Sequence, residues 1–131
     1  GSVITEHAAP INVPVYIWRT NQVLITLRAK DFAFVLEESL SHIFQIIHAN
    51  RLRVSLIQSS AVTISVCVDN SRFVTKAIEQ LQDAYRVTWN ENLSLLTIRG
   101  TTPDILKQEQ QGRDILLSQL TRRTAKLVIK D

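Results

Sequence analysis

Two stretches of alternating residues, 52–58 and 62–69, are separated only by Ser59-Ser60-Ala61. Alternation sends successive side chains to opposite faces of a strand. A three-residue connection joins such strands as an antiparallel hairpin. In the first stretch Leu52, Val54 and Leu56 oppose Arg53, Ser55 and Ile57. In the second, Val62, Ile64, Val66 and Val68 oppose Thr63, Ser65 and Cys67. A hairpin with one apolar face must be covered, and helical patterns lie on both sides of it. Upstream, Leu36, Leu40, Ile43, Phe44 and Ile47 recur at helical spacing, with Glu37, Glu38, Ser41 and Gln45 on the other side. Glu37 and Glu38 fall in the first turn, where the helix dipole favours negative charge, and His48-Ala49-Asn50 marks the end. Downstream, Asp69-Asn70-Ser71 supplies an N-cap signal, followed by Val74, Ala77, Ile78, Leu81 and Tyr85 at helical spacing. Residues 23–29 and 85–89 are β-rich and bracket the whole. The order is β-α-β-β-α-β, which predicts an α+β, ferredoxin-like antiparallel sheet with both helices on one face.

Thr20-Asn21 and Asn90-Glu91-Asn92 read as turns bounding that unit, and a second cycle begins at residue 93. Residues 93–99 read as a strand. Thr101-Thr102-Pro103-Asp104 is a helix start with proline just inside it. Ile105, Leu106, Leu116, Leu117 and Leu120 form the expected apolar face of this helix, weakened by the polar run 107–113 and by Gly112. Residues 125–130 close the chain as a strand. The second cycle therefore reads β-α-β, with 13–18 available as a further strand. The expected organisation is a first unit over 23–90 and an abbreviated second unit split around it, built from 3–22 and 91–131. Gly1-Ser2 reads as a scar of tag removal. With no methionine in the chain, the expectation is a piece of a longer protein.

Composition excludes several classes. The 131 residues are 45% hydrophobic and 21% charged, ordinary for a globular domain. No apolar run approaches the ~20 residues that span a bilayer, so no membrane partner is expected. Cys67, the only cysteine, lies between valines and reads as a buried thiol of a reducing compartment, which predicts a cytoplasmic protein. The net charge is +3, but the basic residues Arg51, Arg53, Arg86, Arg113, Arg122, Arg123 and Lys126 are scattered. That distribution fits a solvated surface better than a nucleic-acid footprint.

Catalytic constellations are absent. His42 and His48 are six apart and fall on different sides of one helix, unlike the i, i+4 pair of a zinc site. Three dispersed glycines make no phosphate loop. Glu37 and Glu38 are adjacent, so they diverge by about 100° and make a solvated first turn rather than an acid–base pair. The expectation is a chain that is not itself an enzyme and holds no metal or cofactor.

Several stretches together resemble the C-terminal regulatory region of aspartokinases, which is built of two interleaved ACT domains. "RTNQVLITLRA" is similar to the segment entering the first ACT unit. "LSHIFQIIHANRLRVSLIQSSAVTISVCVD" resembles its first helix and hairpin. "YRVTWNENLSLLTIRG" matches the passage between the units, and "QGRDILLSQLTRRTAKLVIKD" the ending of a shorter-tailed monofunctional branch. The resemblance spans roughly residues 15–131 and is most specific at the hairpin. It implies a parent enzyme using ATP and Mg to phosphorylate aspartate, on the route to lysine, threonine and methionine. The kinase domain would precede this fragment. The ACT units would form a homodimer that binds an amino-acid effector, lysine or threonine, at an interface.

By resemblance, one set of effector-binding residues comes from the corner within 30–40: Asp31, Phe32, Ala33, Glu38, Ser39 and Leu40. The other comes from the partner's hairpin: Ser55, Gln58, Ser59, Ser60 and Ala61. Two positions depart from the family pattern. Glu38 or a neighbour stands where effector-binding units carry glycine, which lets a ligand approach the backbone. Ser55 stands where lysine-sensing members have an acidic residue. Phe32 and Phe34 are expected in the core or the dimer seam. The rival readings are a structural dimer that has lost its effector, and an RNA-binding module of the same fold. RNA-recognition domains stack bases on aromatics of the middle strands, and 23–29 and 62–68 contain none.

Overall fold

The computed structural model describes residues 13–30 and 36–130. Its elements run β1 (Val15–Ala29), α1 (Leu36–Ala49), β2 (Val54–Ser59), β3 (Thr63–Asp69), α2 (Val74–Gln82), β4 (Tyr85–Arg99), α3 (Pro103–Gln110), β5 (Asp114–Thr121) and β6 (Thr124–Lys130). The chain divides into two compact units. An inner unit covers Asn21–Leu93, and a flanking unit joins the described residues up to Thr20 to those from Ser94 onward. Each boundary falls inside a strand, β1 or β4.

The inner unit has the expected β-α-β-β-α-β order. Its strands are hydrogen-bonded in the order β2-β3-β1-β4, the ferredoxin-like arrangement. Antiparallel pairing sets Val23 against Val68, Ile25 against Val66 and Leu27 against Ile64. These six side chains share one face and are almost wholly buried under Ile43 and Ile47 of α1 and Val74, Ala77, Ile78 and Leu81 of α2. Both helices therefore cover one face. Asn50, just past α1, donates to the Ile46 carbonyl and to Gln80 of α2, which fixes the end of one helix against the other. Phe44 is exposed instead of joining the core.

The β2 face differs from the simple alternation. A bulge between Val54 and Leu56 inserts one extra residue against β3. An extra residue reverses the parity of everything beyond it. Val54 and Ile57 consequently pack on the core, while Leu56 pairs with Cys67 on the opposite face. Cys67 is buried.

The flanking unit uses the order β1-β4-β6-β5. Its core is small: Leu96 and Ile98 of β4 with Ala125, Leu127 and Ile129 of β6, flanked by Ile105, Leu106 and Ile115. Here the expectation of one long helix is corrected. α3 stops at Gln110, and Gly112 turns the chain with φ +73°, a conformation glycine adopts without strain. Leu116, Leu117 and Leu120 then lie on β5, which pairs with β6 from Asp114–Lys130 to Thr121–Thr124. The second cycle is thus β-α-β-β, one strand more than expected.

The two expected turns are also corrected. β1 runs through Thr20-Asn21 and β4 through Asn90-Glu91-Asn92 without a break. Only Asn21 and Asn92 depart, with φ 54° and 59°. Asparagine tolerates this left-handed region better than most residues, so each strand passes through one left-handed residue and continues.

Candidate functional site

The predicted site residues divide into three groups. Asp31, Phe32 and Ala33, with Phe34, lie outside the described residues. Glu38, Ser39 and Leu40 occupy the start of α1. Glu37 and Glu38 are exposed in its first turn, Ser39 is buried, and Leu40 packs against the inner core. The third group follows the hairpin. Ser59, Ser60 and Ala61 are exposed at its tip, where the Ser60 N–H donates to the Thr63 carbonyl at 2.8 Å and closes the turn. Gln58 is half-buried beside them.

Ser55 belongs to a polar row that periodicity does not announce. Its hydroxyl donates to Gln22 Oε1 at 2.9 Å. The Cys67 thiol donates to the same oxygen at 3.5 Å, and Gln22 Nε2 donates to Asp69 Oδ1 at 2.7 Å. Gln22 is 1% exposed. A buried amide is costly unless its groups are met, and this row meets them across β1, β3 and β2. The only signal in the sequence is a glutamine at the start of a strand that is otherwise apolar at its centre.

The flanking unit has its own strand-to-helix corner, Arg99-Gly100-Thr101-Thr102-Pro103. Gly100 sits at φ +75°, and a Cβ there would rest 3.7 Å from the Val13 carbonyl oxygen. Thr102 caps α3 by accepting the Ile105 N–H at 3.3 Å, with Pro103 as the first helical residue. The Thr101 N–H donates to the Arg123 carbonyl at 2.8 Å, fastening the corner to the β5–β6 turn. Between corner, helix and turn lies a cavity of about 270 Å³. A second, of about 120 Å³, lies in the inner unit beside Val74, Ile78, Glu79, Trp89 and Glu91.

An exposed apolar run marks the start of β1. Val13, Val15, Tyr16, Ile17 and Trp18 are all 40% exposed or more. Arg113 stacks over Trp18 at 5.1 Å and pairs with Glu109 at 3.3 Å. Among the described residues, no three His, Cys, Asp or Glu side chains cluster as metal ligands. No helix there is long and apolar enough to cross a membrane.

No protein-family model matches the chain, and no curated protein matches it. Solved structures do. A chain from Porphyromonas gingivalis, assigned as a C-terminal regulatory domain of aspartate kinase, superposes with a TM-score of 0.78 at 13% identity, over 91% of this chain and 87% of that one. Escherichia coli aspartokinase III, solved with lysine and aspartate, gives 0.72 at 18% identity, over 88% of this chain and 29% of that one. The regulatory subunit of aspartate kinase from Thermus flavus gives 0.67 at 14% identity, over 88% and 86%. The chain therefore spans most of the separate regulatory pieces but less than a third of aspartokinase III. The fold is the one these regulatory domains share.

Proposed function

We propose that the chain is the regulatory region of an aspartokinase, a non-catalytic module of paired ACT units that senses an amino-acid end product. One observation carries this reading: a ferredoxin-like unit is inserted in sequence into a second unit, and the chain superposes over 91% of its length on a regulatory domain assigned to aspartate kinase. The effector would be lysine or threonine, held between the corner of one inner unit and the hairpin of another copy. Ser59 and Ser60 are exposed at the hairpin tip, which supports that placement. The exposed apolar run from Val15 to Trp18 supplies surface that a second copy could cover, since monomers rarely leave large apolar patches bare. A ligand held only when two copies are correctly apposed would bias the state of an attached kinase.

The bond from Ser55 to Gln22 favours a second reading. Ser55 offers no carboxylate for a ligand's amine, and its hydroxyl is committed within the sheet. A dimerisation module without an effector would keep the same fold. Calorimetric titration with lysine, threonine and methionine separates the two readings. Saturable heat with one of them supports sensing, and no heat with any leaves the dimer alone. Light scattering showing a monomer at micromolar concentration would count against both.

A further inference from the structure

From the cavity of the flanking unit we infer a second binding site, for a small aliphatic carboxylate that carries no amine. One wall is a single face of α3: Pro103, Leu106, Lys107 and Gln110 stand at positions i, i+3, i+4 and i+7. The opposite wall is the β5–β6 hairpin, which contributes Leu120 and Arg122. The bond from the Thr101 N–H to the Arg123 carbonyl holds the two walls together at the base. No residue of α3 is buried, and Leu120 is 58% exposed. Helix and hairpin thus leave apolar surface open between them instead of closing on it.

The lining sets the ligand's chemistry. Pro103, Leu106 and Leu120 offer contact to a short hydrocarbon body. Lys107 and Arg122 are cations on opposite walls, and among the described residues no acidic side chain lines the cavity. An anion gains from both cations, whereas an ammonium group would meet like charge and no carboxylate. The Thr102 hydroxyl is already committed to the helix cap, so charge recognition rests on Lys107 and Arg122. Pockets for drug-sized ligands begin near ~300 Å³, so a cavity of about 270 Å³ suits a smaller molecule. The site belongs wholly to the flanking unit and does not require that the inner unit sense anything.

The test is an amide-resolved NMR titration of the 131-residue chain with valerate, and with norvaline as the same body bearing an amine. Valerate should give saturable shifts confined to residues 101–110 and 120–123, with norvaline binding more weakly. Lys107→Gln and Arg122→Asn should each weaken valerate by about two- to fivefold, the range for one exposed charge contact. Both side chains are exposed, and asparagine tolerates the φ of 51° at position 122. Unchanged affinity in both variants, shifts elsewhere, or no saturation would overturn the site. Norvaline binding as tightly as valerate would overturn the exclusion of the amine. Lysine or threonine acting at the inner unit would instead move the hairpin amides 58–63, so the two results are read separately.

Discussion

Ser55 and Gln22 sit on strands separated by β3, yet the serine hydroxyl reaches the glutamine oxygen at 2.9 Å. Cys67, on the intervening strand, points its thiol at the same oxygen, and the glutamine's amide nitrogen is spent on Asp69, its partner in register. One buried side chain therefore bonds to three others across the sheet. Replacing it by an apolar group of similar size removes those bonds and leaves their partners desolvated. Gln22→Leu should cost about 1–3 kcal/mol, because orphaned buried polar groups carry the full desolvation penalty. Ser55→Ala should cost about 1 kcal/mol, since Gln22 keeps its bonds to Asp69 and Cys67. Urea unfolding measures both. Equal stability of Gln22→Leu and the parent would mean that the row does not stabilise the inner unit.

α3 depends on its cap more than the other helices do. It is eight residues long and buries none of them, and helices this short are marginal without tertiary support. Its start rests on Thr102, whose hydroxyl accepts the Ile105 N–H. Thr102→Ala should cost about 1 kcal/mol and reduce the helical chemical shifts of 103–110, with those of α1 and α2 unchanged. Retention of full helicity would assign the start of α3 to Pro103 and the corner bond from Thr101 to Arg123 instead.

The inner unit was legible because the residues facing its helices recur at a simple period. Val23, Ile25, Leu27 and Ile64, Val66, Val68 alternate, and Ile43 and Ile47 recur one turn apart, so on that face burial and period agree, although Leu24, Leu56 and Cys67 are buried on the other. Legibility fails where burial is partial. On β5 no residue is fully buried, Ile115, Leu116 and Leu117 are all half-buried, and Leu120 is exposed. Apolar residues at 116, 117 and 120 then match helical spacing as well as they match a strand. The break that separates β5 from α3 is the three-residue turn 111–113, with its glycine at positive φ. Parity misled at β2 as well, because the bulge before Leu56 sends Ile57 to the core. The cavity at the second corner is not legible in the sequence because its lining comes from 101–110 and 120–122, and a continuous helix would carry Leu120 away from that corner. Gly100 before a proline-started helix was the signal that could have located it.

Asn92 offers a test of the left-handed backbone inside β4. It holds φ 59° inside a fifteen-residue strand, next to the boundary at Leu93 and Ser94. Asn21 does the same in β1, where its backbone carbonyl accepts the Asn70 N–H at 3.0 Å. Left-handed backbone costs an ordinary L-residue about 1–2 kcal/mol, more for a branched one, and glycine almost nothing. Asn92→Val should therefore destabilise the chain by at least about 1 kcal/mol, although valine is otherwise a better strand residue. Asn92→Gly should stay within about 0.5 kcal/mol of the parent, because relief of the φ offsets the extra chain entropy. The contrast between the two substitutions is the informative quantity, since both remove the same side-chain amide. Equal unfolding midpoints for Asn92→Val and Asn92→Gly would show that the left-handed backbone at 92 is not a fixed part of the fold.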